Sequence, residues 1–411
     1  MKVLKLSLIV AAVAFLSYGT SYAFHSGGVA ECVGCHNMHE PAGEYLLIGT
    51  DQSSTCLSCH ENAADTGPSS YHISTAEASL GAGLAPKQRT PGGDFGWLKK
   101  SYTMTIRGTT STEAGETHGH NIVAADKNYV EDATNTTAPG GSYPANKLAC
   151  ISCHDMHGKY RRLNGGAIAT TGAPIIGSGS YATSLDPAAG EAVGVYRLLG
   201  GIGYTNSLIA AAGVSFAVNP PAAVAPSSYN RTESSTYTRV AYGKGMSRWC
   251  ATCHPDMHTD SGGLKHSVDE NLGSTIANNY NTYVKSGDAT GSSASSYSSL
   301  VPFETNSTDY TALKAIVTST PNAGPASSNQ VMCLSCHRAH ASGFMEMTRW
   351  NNEGEFMTYT SLWPGTDTTP SVPQFARGRL GAETLAAYND IPASKFASYQ
   401  RVYCNKCHVQ D

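Results

Sequence analysis

Cys32-Val33-Gly34-Cys35-His36 is the first of six stretches with one spacing. The others are Cys56-Leu57-Ser58-Cys59-His60, Cys150-Ile151-Ser152-Cys153-His154, Cys250-Ala251-Thr252-Cys253-His254, Cys333-Leu334-Ser335-Cys336-His337 and Cys404-Asn405-Lys406-Cys407-His408 (motifs I to VI), and together they use all twelve cysteines. Two thiols three residues apart can add across the two vinyl groups of one haem, which leaves the following imidazole beneath the ring as an iron ligand. Disulfides or zinc ribbons would also use paired cysteines, but neither needs a histidine after the second cysteine every time. The expectation is six covalently bound haems c. Cys32, Cys35, Cys56, Cys59, Cys150, Cys153, Cys250, Cys253, Cys333, Cys336, Cys404 and Cys407 attach them, and His36, His60, His154, His254, His337 and His408 are the proximal ligands.

Nine of the fifteen histidines then remain for the other face of six irons. The candidates, in order, are His39, His157, His340, His120, His72, His258, His266 and His25, with His118 read as a solvated side chain. Met38, Met156 and Met257 lie near motifs and could serve instead, but histidine is in excess, and bis-histidine ligation favours low reduction potentials. His39, His157 and His340 each stand three residues after a proximal histidine, and His258 stands four after. The axial sites of one iron lie on opposite faces of a rigid ring, so such a histidine is better placed to serve a neighbouring haem. Lys159-Tyr160-Arg161-Arg162, Arg248 and Arg338 could pair with haem propionates or could simply be solvated.

Residues 1–23 read as a signal peptide. Lys2 and Lys5 precede an apolar run from Leu6 to Leu16, and Ser21-Tyr22-Ala23 supplies small residues for cleavage. The cytochrome domain is then 24–411, exported to the cell surface or beyond. Of the residues after 23, 59 are Leu, Ile, Val or Phe, about 15%. That lies below the roughly 20% at which aliphatic burial struggles to offset ordering entropy. Six apolar macrocycles are expected to replace the missing core, so the chain without haem should not fold. Segments rich in Gly, Ser, Thr and Pro separate the motifs, among them Pro220-Pro221-Ala222-Ala223 and Ser292 to Ser296. Short helices are expected at Tyr310 to Thr318, Ile276 to Lys285 and Glu383 to Asn389, with no sheet core. The fold class is therefore mostly irregular coil with short helices, one elongated unit built around a stack of haems. The formal charge of −4 becomes more negative once Lys2 and Lys5 leave and propionates arrive. Nucleic acid is an unsuitable partner.

The segments between the motifs resemble the OmcS-type extracellular hexahaem cytochromes, the filament-forming outer-surface cytochromes of metal-reducing bacteria. The likeness runs through Phe24-His25-Ser26-Gly27-Gly28-Val29-Ala30, Gly67-Pro68-Ser69-Ser70-Tyr71-His72 and Pro91-Gly92-Gly93-Asp94-Phe95-Gly96-Trp97. It continues through Gly158 to Arg162, His337 to Phe344 and Cys404 to His408, so coverage is end to end. The resemblance implies bis-histidine haems in a continuous stack and head-to-tail self-association, with His39 ligating the Cys333/Cys336 haem of the adjacent subunit. It also implies delivery of electrons to metal oxides or other cytochromes. The segment from Glu40 to Thr55 is shorter than its counterpart, which could alter the interface beside His39.

Three functions share this haem content: a filament subunit, a monomeric periplasmic shuttle and a multihaem reductase. A reductase needs an iron with an open position. Six histidine-terminated motifs and a surplus of histidines disfavour it.

Overall fold

A chain rich in glycine and poor in aliphatic residues folds as a succession of turns. The computed structural model describes residues 32–62, 71–226, 233, 239–257 and 268–408. Among these residues the longest α-helices are Gly273–Thr282 and Tyr310–Ser319, ten residues each, then Gln52–His60 with nine. The helix expected at Tyr310 to Thr318 extends one residue further. The other two begin earlier than expected, at Gly273 and, for Gly381–Ala387, at Gly381. Side-chain acceptors explain several starts: Asp51 accepts from Ser54 N, Asn206 from Leu208 N and Ile209 N, and Asp309 from Thr311 N and Ala312 N.

Among the described residues strands are short, in four separate sheets of two or three strands. The longest hairpin pairs Tyr102–Ile106 with Thr109–Glu113, turning at Arg107 and Gly108, both with positive φ (51° and 83°). That pair of left-handed residues is what a two-residue hairpin turn needs. Ala223, read as part of a loop, instead begins the strand Ala223–Val224, which pairs with Ala241–Tyr242.

Aromatic rather than aliphatic side chains dominate the largest buried cluster. It gathers Trp97, Tyr102, Tyr280, Tyr283, Tyr297, Phe303, Phe344, Trp350, Trp363, Tyr388, Phe396 and Tyr403. Trp363 stacks on Tyr388 with centroids 3.9 Å apart and planes 7° from parallel. Rings of this size supply the apolar area that the low Leu, Ile and Val content cannot.

Motifs I, III and V share a loop that the sequence does not advertise. After His36, His154 and His337 the chain returns through two consecutive left-handed residues: Tyr45 and Leu46, Arg197 and Leu198, Glu346 and Met347. The return segment pairs with the motif identically in all three. Asn37 N donates to Leu46 O (2.7 Å), Asp155 N to Leu198 O (2.7 Å) and Arg338 N to Met347 O (2.8 Å). Two residues on, Ile48 N, Gly200 N and Arg349 N donate to Cys35 O, Cys153 O and Cys336 O at 3.0, 2.9 and 2.8 Å. A left-handed conformation costs a non-glycine residue about 1–2 kcal/mol. Three copies of such a pair imply that something fixes the loop.

Candidate haem centres

What the loop fixes is the orientation of an imidazole. His36 Nδ1–H donates to Tyr45 O at 2.9 Å, His154 Nδ1–H to Arg197 O at 2.7 Å and His337 Nδ1–H to Glu346 O at 2.8 Å. Each acceptor is the first left-handed residue of its pair. In motifs II and IV the acceptors are Tyr71 O for His60 (2.9 Å) and Pro139 O for His254 (2.8 Å). A carbonyl can only accept, so the proton sits on Nδ1 and the lone pair of Nε2 is left for a metal. His120 is held in the same way, Nδ1–H to Ala339 O at 2.8 Å.

The cysteines are presented by a single helical turn. The amides of His36, His154, His254, His337 and His408 donate to the carbonyls of Cys32, Cys150, Cys250, Cys333 and Cys404 at 2.8, 3.0, 3.1, 3.0 and 3.0 Å. Motif II lies inside the helix Gln52–His60. Residues i and i+3 of such a turn share a face, so both thiols and the histidine can address one group. All twelve cysteines are free of disulfides.

Histidines from different motifs face one another. The rings of His154 and His340 have centroids 6.5 Å apart, and those of His254 and His120 are 6.1 Å apart. Two imidazoles across one metal, each with a metal–nitrogen bond of about 2.0 Å and a ring centre roughly 1 Å beyond, stand about 6 Å apart. The residues present therefore fit a six-coordinate iron between them. Burial, and then His254, push His120 down to about 4. Burial, and then His154, push His340 down to about 3. Both are neutral imidazoles at ordinary pH, the form that ligates. His60 is also lowered, by burial and by nearby His72. Phe95 stacks on His340 with centroids 4.7 Å apart. The His340 backbone is gripped between two glycine-containing stretches, donating to Gly92 O at 2.8 Å and accepting from His120 N at 2.9 Å. A Cβ on Gly119 would stand 2.3 Å from His340 O, which explains the glycine before His120.

Consecutive motifs are neighbours through their cysteines. Cys56 lies within hydrogen-bonding reach of Cys150, and Cys250 of Cys333. Cys35 lies near Cys59, Cys153 near Cys253, and Cys336 near Cys404 and Cys407. Two of these junctions share a clasp, in which a serine three residues before one motif accepts from the first cysteine of the next. Cys150 N donates to Ser53 Oγ (3.2 Å) and Cys333 N to Ser247 Oγ (3.1 Å). The six motifs thus form one connected series in chain order.

Of the remaining candidates, His39 and His157 are exposed, each on a tight turn whose Asn37 or Asp155 side chain accepts from the histidine amide at 3.1 Å. His25, His258 and His266 lie outside the described residues, as do residues 1–23. His118 is not solvated: it is fully buried, with Nδ1 at 2.9 Å from Trp97 O and Nε2 at 2.7 Å from Glu113. Both ring nitrogens are engaged, and Arg379 also pairs with Glu113. The basic residues divide. Arg248 pairs with Asp269 at 2.7 Å while still largely exposed, Arg162 is buried against the Tyr310 ring, and Arg338 is buried against Glu233 at 2.9 Å.

Sequence reasoning missed the carbonyls that orient the histidines, because a backbone acceptor carries no residue signature. It also missed the serine before the second cysteine in motifs II, III and V. Ser152 Oγ accepts from Ala149 N (3.0 Å) and Ser335 Oγ from Met332 N (3.1 Å), closing the motif turn. Their repetition at one position was a readable signal.

Residues 25–65 match the family described as a doubled CXXCH motif. Over 436 aligned positions the chain is 55% identical to the C-type cytochrome OmcS of Geobacter sulfurreducens, with all of both chains covered. Two solved structures, one described as OmcS nanowires from Geobacter sulfurreducens and one as an Outer Membrane Cytochrome S filament, share its fold with a TM-score of 0.86. Each is 54% identical, and 94% of this chain is covered along with all of the other. The connected series of motifs and the full-length identity agree, and the chain belongs to the OmcS family of C-type cytochromes.

Proposed function

We propose that this chain is an extracellular electron carrier: six bis-histidine haems c in one subunit, joined head to tail with further copies into a filament. The bound haem supplies the one-electron ferric/ferrous couple. The chain holds each ring by two thioethers, orients one imidazole through a backbone carbonyl and brings a second imidazole from elsewhere. Residues 24–411 form this unit after removal of 1–23.

The observation that carries the reading is the pairing of His340, in motif V, with His154, in motif III. A histidine three residues past one haem site serves the site two motifs earlier. The same rule sends His157 of motif III to the haem of His36. It sends His39 of motif I beyond the start of the series, to the haem of His337 in an adjacent subunit. His120 serves His254, His72 serves His60, and His408 draws its partner from His25, His258 and His266. Exposed Val33, Met38, Tyr45 and Leu46 surround motif I, the apolar surface that a second copy would cover. Since a head-to-tail contact does not close on itself, it propagates as a fibre. The acceptors at its end are metal oxides or other cytochromes.

Electron microscopy of the secreted protein, with visible spectra of the same sample, tests the reading. The expected result is filaments whose six haems per subunit are all low-spin. Monomers, or a reduced form that takes up carbon monoxide at stoichiometric level, would return the choice to a shuttle or a reductase.

A further inference from the structure

Behind motif V lies a buried cluster of three charges. Arg338, Arg349 and Glu233 are each at most 1% exposed. Glu233 Oε2 accepts from Arg338 Nη1 at 2.9 Å and from Arg349 Nη1 at 2.6 Å. Two guanidiniums against one carboxylate leave a net positive charge. The cluster also grips the haem attachment loop itself: Arg349 Nε donates to Leu334 O at 2.7 Å and to His337 O at 3.1 Å, and Arg338 follows His337 directly. Arg338 Nη1 reaches Pro91 O at 3.1 Å, and Arg349 Nη1 reaches Ser299 O at 3.0 Å. Even so, Nη2 of both arginines and Oε1 of Glu233 are buried without a hydrogen-bond partner among the described residues. Buried guanidinium donors left unpaired are costly, and they mark a place where an anion belongs.

At motif V this net positive charge is fully buried. The basic residue beside motif IV, Arg248, is exposed and neutralised one to one by Asp269. A buried charge is screened far less than a surface one, so its field at a nearby iron is larger. Net positive charge favours the reduced, less positive iron and therefore raises its potential.

We infer that the Arg338–Glu233–Arg349 cluster is a built-in positive charge that accepts a propionate of the haem held by Cys333, Cys336 and His337 and makes it easier to reduce than an uncharged setting would. These are positioning residues, since their effect on the iron is exerted through the attachment loop and through space. The inference rests on the six-haem reading above. It deepens that reading by giving one haem, the one assigned to receive His39 of the next subunit, its own electrostatic bias.

The experiment is a spectroelectrochemical titration of purified filaments, following the share of the absorbance change that belongs to one haem in six. Arg349→Gln removes one positive charge, and at a fixed potential it should lower that haem's reduced-to-oxidised ratio at least tenfold, 59 mV for a one-electron couple. Glu233→Gln leaves two positive charges and should move the same haem in the opposite direction. Arg349→Lys keeps the charge and should leave the haem near its original potential. Glu355→Gln, on the exposed pair with Arg401, is the surface control and should move nothing. Opposite shifts from Arg349→Gln and Glu233→Gln are beyond a merely structural role. If those variants do not accumulate, replacing Arg338, Glu233 and Arg349 together by Met, Leu and Met removes the net charge without leaving one member of the protein cluster buried and uncompensated by the others. That triple variant should lower the same haem. No shift, or shifts of the same sign, in filaments that retain six low-spin haems would overturn the inference while leaving the filament reading intact. Loss of a haem or of filaments from the unmodified protein would overturn the reading instead.

Discussion

Motifs I and V are built on the same loop, yet they live in different surroundings. Both return through two left-handed residues, both tie Nδ1 of the proximal histidine to the first of these, and both close with the same two backbone hydrogen bonds. Around motif V the neighbours are buried: Arg338, Arg349, Phe344 and Trp350. Around motif I they are not, with Val33 74% and Met38 77% exposed. The histidine three residues on follows suit, His340 lying under Phe95 and His39 facing outward. The difference teaches that the haem-binding geometry is a local property of the loop. On the proposed assignment, what covers the loop decides whether its second histidine works inside the subunit or between subunits.

The strongest way to break this comparison is to remove the two histidines one at a time. His39→Ala should mature with six haems but give monomers or short, easily dissociated fibres, because one coordinate bond is lost at every junction. His340→Ala should still polymerise, while one haem, that of His154, becomes high-spin and open to an exogenous ligand. Electron microscopy and visible spectra of the two variants distinguish them. Normal filaments with six low-spin haems from His39→Ala would show that motif I does not differ from motif V in the way proposed. Expression without haem attachment should remove both modules together, giving aggregated or degraded chain. A soluble apo-protein with a cooperative melt would show that the aromatic cluster suffices alone.

Much of this was legible in the residues. The Cys-x-x-Cys-His spacing set the cofactor, and the excess of histidine put His340 and His120 among the candidate ligands without saying which histidine each would face. The weakness of aliphatic composition pointed away from a sheet core, and only small sheets form among the described residues. Other features were hidden for physical reasons. The loop shared by motifs I, III and V is carried by backbone conformation, and Tyr45-Leu46, Arg197-Leu198 and Glu346-Met347 have no common residue signature for it. His118 looked like a loop histidine although Glu113 stands only five residues before it, because its other acceptor, Trp97 O, and the Arg379 that pairs with Glu113 are brought in by the fold. Pairing across long stretches of sequence leaves no local pattern.

A smaller effect sharpens the comparison through pH. Glu304, 1% exposed, accepts from Gly245 N at 2.9 Å and from Met246 N at 3.3 Å, holding the start of the helix Met246–Cys250. Ser247 on that helix holds Cys333, so the carboxylate supports the junction of motifs IV and V. Burial above all, with Asp269 nearby, raises Glu304 to about 7, against the two amide bonds and Lys244. Its folded-state pKa is therefore above its unfolded one. The folded state binds the extra proton, and stability contributed by this group is present below about pH 4.5 and is lost as pH rises through about 7. Glu304→Gln should flatten that part of the stability profile. The difference between the two melting-temperature curves from pH 4.5 to 8 is the measurement, and parallel curves would refute the assignment. No counterpart of Glu304 stands behind motif I among the described residues, so the contribution belongs to the motif V side.

The finest test asks whether the loops of motifs I and V are as equivalent energetically as they are geometrically. Tyr45 (φ 59°) and Glu346 (φ 56°) are both exposed and both lend their carbonyl to a proximal histidine. Glycine occupies the left-handed region without steric cost, which offsets the entropy it adds to the unfolded chain, so Tyr45→Gly and Glu346→Gly should each change stability by less than about 1 kcal/mol. A β-branched residue is the opposite case, because it crowds the backbone most where φ is positive. Tyr45→Val and Glu346→Val should each cost about 1–2 kcal/mol. Thermal melts of the four variants, with six haems verified in each, provide the readout. If Val is costly at 346 but tolerated at 45, the motif I loop is free to relax and only the buried cover of motif V enforces the geometry. Equal costs at the two positions would show that the hydrogen bond to the imidazole enforces it by itself, the outcome that the matched distances of 2.9 and 2.8 Å lead us to expect.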